Sequence, residues 1–568
     1  MLLLNFNLLA TAPGGVARLR ELILTLAVQG KLVPQAPSDE PASVLLKKIR
    51  VEKERLIAEG KIKREKDEPT LTDDDTPFAL PDTWTWVALG EVIDIVRGIT
   101  FPATQKTREP APGRIACLRT TNVQHTIEWD DLLFVDRSFM GRENQLIRHH
   151  DIVMSMANSR ELVGKVALIE HIPHPESTFG GFLGVLRPRK IDPRYAMAVL
   201  RTPYARVMLI DSSSQTTNIA NVSLAKLWPL PFPLPPPAEQ SRIVTCVEEL
   251  MRVCDALEVK GRLEAAQHAQ LVSTLLGTLT DSDTPEALAQ NWQRIAAHFD
   301  LLLDRPEAIY AFEQTILQLA VRGLLVPQDQ LDEPASELLK KICIEKDKLI
   351  AEGKIKRDKP LPPIAEDAQP FALPQGWEWS TLAAIGIINP RNKAEDDVTA
   401  SFVPMSSIPV GFLASHITES RPWRDIKSGF TQFAEGDVGV AKITPCFENG
   451  KSTVFQNLSN GIGAGTTELH IVRPLCRIVP KYVLLFLKTP SFLIEGEAMM
   501  TGSAGQKRMP RNYLEKKPFP LPPLDEQARI VTRVEELHHL CIDLRQRLTG
   551  KQTTQAHLAE ALVESVAG

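Results

Sequence analysis

DEPASVLLKKIRVEKERLIAEGKIKREK, Asp39 to Lys66, returns almost unchanged as DEPASELLKKICIEKDKLIAEGKIKRDK, Asp332 to Lys359. The displacement holds over a long stretch: Ile23 answers to Ile316, Asp39 to Asp332 and Pro77 to Pro370, each 293 positions on. A second pair, FPLPPPAEQSRIVTCVEEL from Phe232 and FPLPPLDEQARIVTRVEEL from Phe519, is displaced by 287. Between the repeats the chain does not resemble itself: Gly90 to Leu227 and Gly386 to Lys516 are two unlike inserts. A duplicated frame presenting two different modules points to one object read at two places.

One copy of the frame is continuous, from Phe232 through the segment around Pro306 to about Leu373. The other is split between the C-terminus, Phe519 to Gly568, and the N-terminus, where NFNLL from Asn5 lies over HFDLL from His298 and Pro13 over Pro306. Chain ends that complete one repeat are expected to be neighbours. The frame itself reads as long helices. Ile243, Val247, Leu250, Cys254 and Leu257 recur at alternating steps of four and three, as do Ile530, Val534, Leu537, Cys541, Leu544 and Leu548, which is a coiled-coil seam in both copies. A helix from Pro306 (Pro13 in the split copy) is stopped by Gly323 and Pro327 (Gly30 and Pro34). Another starts at Pro41 or Pro334 and stops at Gly60 or Gly353. Proline-rich stretches, Pro229 to Pro237 and Pro518 to Pro523, read as stiff extended hinges leading out of the inserts. The expected segments are 1–75, a helical half of the split frame; 76–231, the first insert; 232–368, the central frame; 369–518, the second insert; and 519–568, the remaining helical half.

With 568 residues, 43% hydrophobic and 24% charged, the chain is ordinary globular material. Seven cysteines without a CxxC pair point to a reducing compartment and away from a disulfide framework or a zinc site. MLLLNFNLLATA lacks a basic leading region and is echoed inside the chain, so it reads as frame rather than as a signal, and a cytoplasmic location is expected. No apolar run approaches a membrane span. The net charge of −5 counts mildly against a nucleic-acid partner unless the acidic residues lie on frame helices and the binding faces are basic loops.

Both inserts read as mixed α/β. IVMSMAN, GKVALIE and GFLGVLRP precede a helical PRYAMAVLRTPYARVML, Pro193 to Leu209, and GDVGVAKITPCFENGKSTVF and TTELHIVRP precede PKYVLLFLKTPSFL. The exits PLPFPLPPPAEQSRIV and PFPLPPLDEQARIV, the entries PFALPDTWTWVALGEV and PFALPQGWEWSTLAAI, and the strings CLRTTNVQ, GKVALIE, AKITPCFENGK and GSAGQKRMP resemble the DNA specificity subunit of type I restriction-modification systems. The resemblance covers practically the whole chain. It implies an α+β fold: two mixed α/β target recognition domains joined by long antiparallel coiled-coil helices in a pseudo-twofold, circular arrangement. It further implies a noncatalytic subunit that recognises an interrupted double-stranded DNA site and docks two methyltransferase and two restriction subunits. Cofactors would be absent from this chain, with S-adenosylmethionine, ATP and Mg in the partner subunits.

DNA contacts call for polar and cationic side chains on loops and helix ends. In the first insert the candidates are Arg119, Thr120, Thr121, Asn122 and Gln124; Asn158, Ser159, Arg160 and Lys165; and Ser214, Gln215, Thr216, Thr217, Asn218 and Asn221, within a run that carries no charge. In the second they are Arg391, Asn392 and Lys393; Lys442, Thr444, Asn449 and Lys451; Thr466 and Thr467; and Ser503, Gln506, Lys507 and Arg508. GSAGQKR stands out, because its glycines permit close backbone approach and three long donors follow. Catalytic motifs fail: ENGKST has Pro445 where a phosphate loop needs glycine, Glu59-Gly60-Lys61 and Glu352-Gly353-Lys354 are helix ends, and the histidines lack further metal ligands. Two other readings of the sequence are a self-contained restriction or methylation enzyme and a coiled-coil adaptor for proteins. The absent motifs weigh against the first, and two large unlike inserts would be superfluous in the second.

Overall fold

The computed structural model describes residues 6–60, 71–72, 75–159, 162–211, 214–216, 219–223, 227–282, 284–357, 364–503 and 505–567. The chain divides into two compact units, Met1–Leu263 with Gln552–Gly568, and Glu264–Lys551. The C-terminal stretch thus joins the N-terminal unit, as the split repeat requires. There Ala559 is buried, Leu562 and Val563 pack on the core, and Arg18 meets Glu560 at 2.9 Å.

Two helices of 44 residues, Pro237–Thr280 and Leu524–Ala567, follow the two inserts. Their seam positions are inside their respective units: Ile243, Cys254, Ile530, Val534 and Cys541 are buried, and Leu257, Leu537, Leu544 and Leu548 are partly so. The shorter frame helices end at glycines for a physical reason. Gly30 and Gly323, after Gly15–Val28 and Pro306–Val321, have φ of +69° and +70°. A Cβ at either would lie 2.5 Å from a proline ring, of Pro81 or Pro374, at the entry to the insert. The repeated segment forms Ala42–Ala58 and Ala335–Ala351, each buried along Ala, Leu and Ile.

The proline-rich exits differ from the expectation of hinges. Pro231–Leu234 and Pro518–Leu521 are buried strands, paired antiparallel with the entry strands Thr85–Ala88 and Glu378–Thr381. A two-stranded ribbon tolerates alternate prolines because each strand is an edge, so the missing N–H groups cost no ladder bond. Behind each ribbon the same polar latch recurs. The Trp84 indole donates to Glu239 at 2.9 Å and that of Trp377 to Glu526 at 3.0 Å; Gln35 and Gln328 donate to the same carboxylates. Arg242–Asp39 and Arg529–Asp332, both 2.6 Å, complete the two copies.

The unlike inserts share one topology. Four antiparallel strands run in the order Ile93–Arg97, Leu183–Pro188, Ile152–Ser155, Val166–Leu168 in the first, and Gly386–Ile388, Leu469–Pro474, Val438–Ala441, Ser452–Val454 in the second. A second sheet in each contains a parallel pair, Arg114–Leu118 with Ser177–Phe179 and Thr399–Val403 with Ile462–Gly465. Each antiparallel sheet is held to its neighbouring loop by a buried carboxylate: Arg187 meets Asp151 at 2.6 Å and Arg473 meets Asp437 at 2.8 Å. Burial raises the Asp437 carboxyl even though the Arg473 guanidinium opposes the shift. The single helix expected over Pro193 to Leu209 is two, Pro193–Leu200 and Pro203–Asp211, since Pro203 cannot continue the first. Pro490 does the same between Pro480–Leu487 and Pro490–Ala498.

Candidate nucleic-acid interface

In the first insert the strand Ile152–Ser155 continues into Ala157–Asn158, which pairs with Ile219–Asn221, and that strand pairs in turn with Ser214–Thr216. Ser214–Thr216 and Ile219–Asn221, both from the uncharged polar run, are therefore paired strands mounted on the strand that carries Asn158. Ser214, Gln215 and Thr216 lie in the first of the two and Asn221 ends the second, half-buried. Arg160, Thr217 and Asn218 lie outside the described residues, and Ser159 is exposed beside them.

The second insert repeats this device with other residues. Arg508 bridges both Ile443 and Thr501, so the GSAGQKR loop is a hairpin mounted on the segment after Val438–Ala441. Its seating is specific: Thr444 N donates to the Lys507 carbonyl at 3.0 Å, Lys507 N to Thr444 Oγ1 at 3.1 Å, and Met509 N to the Lys442 carbonyl at 2.7 Å. Lys442, Thr444, Gln506, Lys507 and Arg508 are thereby brought into one cluster, with Thr466 and Thr467 next to it through Glu468. Ser503, Gln506 and Lys507 are exposed, and the ammonium groups of Lys442 and Lys507 have no hydrogen-bond or ion-pair partner among the described residues.

Other candidates are engaged inside the fold. Asn122 is buried and donates to the carbonyls of Glu128 and Asp130, while accepting from Arg119 N. Asn392 donates to the Phe433 carbonyl and accepts from Arg473 at 2.8 Å, so its amide orders the module. Lys451 donates to the Met405 carbonyl. Arg119 pairs with Asp131 at 2.7 Å and Arg508 with Glu468 at 2.8 Å. The Arg508 guanidinium holds the Glu468 carboxyl below the usual range, and Arg119 does the same for Asp131. Thr120 begins the short turn Thr120–Asn122, Thr121 is exposed, and the Gln124 amide oxygen accepts from the Lys165 ammonium at 3.1 Å. Arg391 and Lys393 are exposed or nearly so, and Asn449 is exposed on a turn.

Sequence reasoning missed the acidic partners. Glu468 follows directly on Thr466 and Thr467, and Asp131 lies twelve residues beyond Arg119, yet carboxylates repel phosphate and so do not suggest themselves as part of a DNA-facing cluster. It also missed Arg201 and Lys488, which occupy corresponding helix ends. Arg201 donates to the Val166 carbonyl at 3.2 Å and also to that of His125, while Lys488 donates to the carbonyls of Val410 at 2.6 Å and Gly450 at 3.0 Å. The only sequence signal was a cation just before Thr-Pro in both inserts. Among the described residues no group of His, Cys, Asp or Glu converges as a metal site, and no helix is long and apolar enough to cross a membrane.

Comparison with known proteins gives the chain a family. The family model described as type I restriction modification DNA specificity domain matches residues 81–267. The specificity subunit of the type I restriction enzyme EcoEI of Escherichia coli is 34% identical over 97% of this chain and 94% of its own length. That of EcoAI, also from Escherichia coli, is 35% identical over the same shares. A solved HsdS subunit from Thermoanaerobacter tengcongensis aligns with 87% of this chain and 98% of its own, at 16% identity and a TM-score of 0.38. On the full-length identity to the curated relatives, the chain belongs to the family of type I restriction enzyme specificity subunits.

Proposed function

We propose that each insert reads one half of a bipartite double-stranded DNA target and that the frame carries two methyltransferase subunits and two restriction subunits. Adenine methylation and cleavage belong to those partners, which use S-adenosylmethionine, ATP and Mg; this chain supplies recognition without catalysis, in the cytoplasm where the DNA lies. One observation carries the reading. Two polar hairpins, Ser214–Asn221 and Thr501–Arg508, sit at corresponding positions of one topology and differ in nearly every side chain. Retaining the mount while changing the reader is what two half-sites of different sequence demand. The clusters have the chemistry for it, since exposed amides, hydroxyls and cations read base edges and phosphates.

Exchange of the second insert tests this. Replacing Gly386 to Lys516 with the corresponding segment of the EcoEI or EcoAI relative is expected to change one half of the methylated sequence and leave the other intact. Mapping of methylated adenines in cells carrying the hybrid complex reads the outcome. A change in both halves would show that the inserts are not independent readers.

A further inference from the structure

In the first insert Phe182 is 68% exposed and belongs to none of the hydrophobic clusters that hold its unit together. The backbone under it is nonetheless fixed. Leu183 N donates to the Gly180 carbonyl at 2.8 Å, closing a tight turn with Gly181 and Phe182 at its corner. Gly180 N donates to the Leu118 carbonyl and Ile99 N to that of Phe179, both at 2.9 Å, which ties the turn to two neighbouring segments. Space there demands glycine: a Cβ on Gly98 would lie 2.2 Å from the Gly180 carbonyl oxygen, and one on Gly181 3.0 Å from the Thr100 side chain. The Phe182 carbonyl accepts from Met156 N at 2.9 Å and from Ala157 N at 3.3 Å. Phe182 thus stands next to the strand Ala157–Asn158, on which the uncharged polar strands are mounted. A rigid turn leaves the apolar area of an aromatic ring in water beside the candidate interface.

The second insert has other chemistry at the same place. Lys442 N donates to the Glu468 carbonyl as Met156 N does to that of Phe182, and Met509 N donates to the Lys442 carbonyl as Val222 N does to that of Met156. Phe182 is therefore the counterpart of Glu468, and Asn221 that of Arg508. Glu468 and Arg508 pair at 2.8 Å, and Glu468 N donates to Thr466 Oγ1 at 3.2 Å, so that turn is polar throughout. Phe182 and Asn221 bring no charge. One position of the shared topology presents a guanidinium set by a carboxylate in one insert, and a bare ring with an amide in the other.

We infer that Phe182 is a specificity-determining residue of the first insert, its ring packing on the C5 methyl group of a thymine in the half-site that this insert reads. The inference rests on the DNA-reading function proposed above. Thymine alone carries an apolar group on its major-groove edge, so an uncharged ring selects it through that methyl. Adenine methylation in each half-site guarantees at least one A·T pair, and hence a thymine to be read.

The test uses the full chain in complex with its methyltransferase partner, and a duplex carrying the sequence that methylation mapping gives. Each thymine of the half assigned to the first insert is replaced in turn by deoxyuridine, which keeps the base pair and lacks only the methyl group. In the wild-type complex one such replacement is expected to weaken binding about fourfold, the factor that burial of one methyl group supplies. Phe182→Ala is expected to lose at least that factor on the thymine duplex and to bind the two duplexes alike, with the salt slope and the unfolding midpoint unchanged. Phe182→Leu is expected to keep part of the preference, since an aliphatic side chain still covers a methyl group. A wild-type complex indifferent to deoxyuridine at every position would overturn the inference. So would a Phe182→Ala complex that kept the wild-type preference for thymine; weakened binding with that preference intact would mark the ring as a wedge between base pairs. A wild-type complex unable to distinguish the mapped target from an unrelated duplex would instead sink the DNA-reading function itself, and the two failures are distinct.

Discussion

Lys507 stands exposed on a hairpin whose backbone is fixed by Thr444 and Thr501, and its ammonium meets no partner among the described residues. Nothing in folding requires its charge, so truncation falls on binding. Lys507→Ala is expected to leave the unfolding midpoint unchanged and to cost about 1–3 kcal/mol of specific affinity if it reads a base, or about one unit of salt slope if it meets phosphate. Asn392→Ala should do the reverse, because it removes one partner each from the Phe433 carbonyl and from Arg473 inside the module. A loss of about 1–3 kcal/mol in denaturant stability is expected there. Paired binding and unfolding measurements check both, and the opposite pattern would exchange the roles assigned to the two residues. In the sequence Asn392 and Lys507 were both candidates, the latter within the run that stood out, since residue type and polarity alone do not show where a side chain's donors are spent. Asn122 is the same case: a turn rich in threonine and arginine reads as a contact loop, while its asparagine is 3% exposed and braces the turn.

The latch of Trp377, Gln328 and Glu526 joins the residue before the entry strand Glu378–Thr381, a frame loop and the start of the helix Leu524–Ala567 within one unit. Glu526 is buried, and burial raises its carboxyl while the bonds from Trp377 and Gln328 oppose that shift. Glu526→Ala leaves an indole N–H and an amide unsatisfied, so it should cost about 1–3 kcal/mol of that unit's stability. Trp84 and Gln35 stand to Glu239 in the same relation, and Glu239→Ala should therefore destabilise the other unit by a similar amount. Urea titration followed by tryptophan fluorescence measures both, and a negligible change would show the latch to be incidental. This element was half legible: the EQ dipeptide and the tryptophans were visible as repeats, but which residue answered to which needed the ribbon pairing of Pro231–Leu234 with Thr85–Ala88. Helix ends at Gly30 and Gly323 were legible because the chemistry that stops them is local. The breaks at Pro203 and Pro490 carried an equally local signal, outweighed by the apolar periodicity on both sides.

At the scale of the whole chain, the split repeat made the pairing of its two ends readable in advance. Side chains bear it out within the N-terminal unit, where the last helix of the chain packs on the first elements through Ala559, Leu562 and the Arg18–Glu560 pair. The placement of the individual candidate residues was less legible, because the inserts have no second copy of their surface and only the strand pairing shows what is mounted on what. The central copy also indicates how the ends can be joined. By the two displacements Gly568 answers to Asp281 and Met1 to Arg294, and the twelve residues Ser282 to Gln293 lie between them. Most of those twelve belong to the helix Pro285–Ala296, which is capped by the Thr284 side chain at Ala287 N. A permutant with SDTPEALAQNWQ inserted between Gly568 and Met1, and new ends opened between Asp283 and Thr284, thus borrows a connection that the chain already uses. It is expected to be soluble, to bind the methyltransferase partner and to direct methylation to the unaltered sequence. Copurification and methylation mapping read these outcomes. A soluble permutant that bound its partner but methylated a different sequence, or none, would show that the break between Gly568 and Met1 does more than interrupt a repeat.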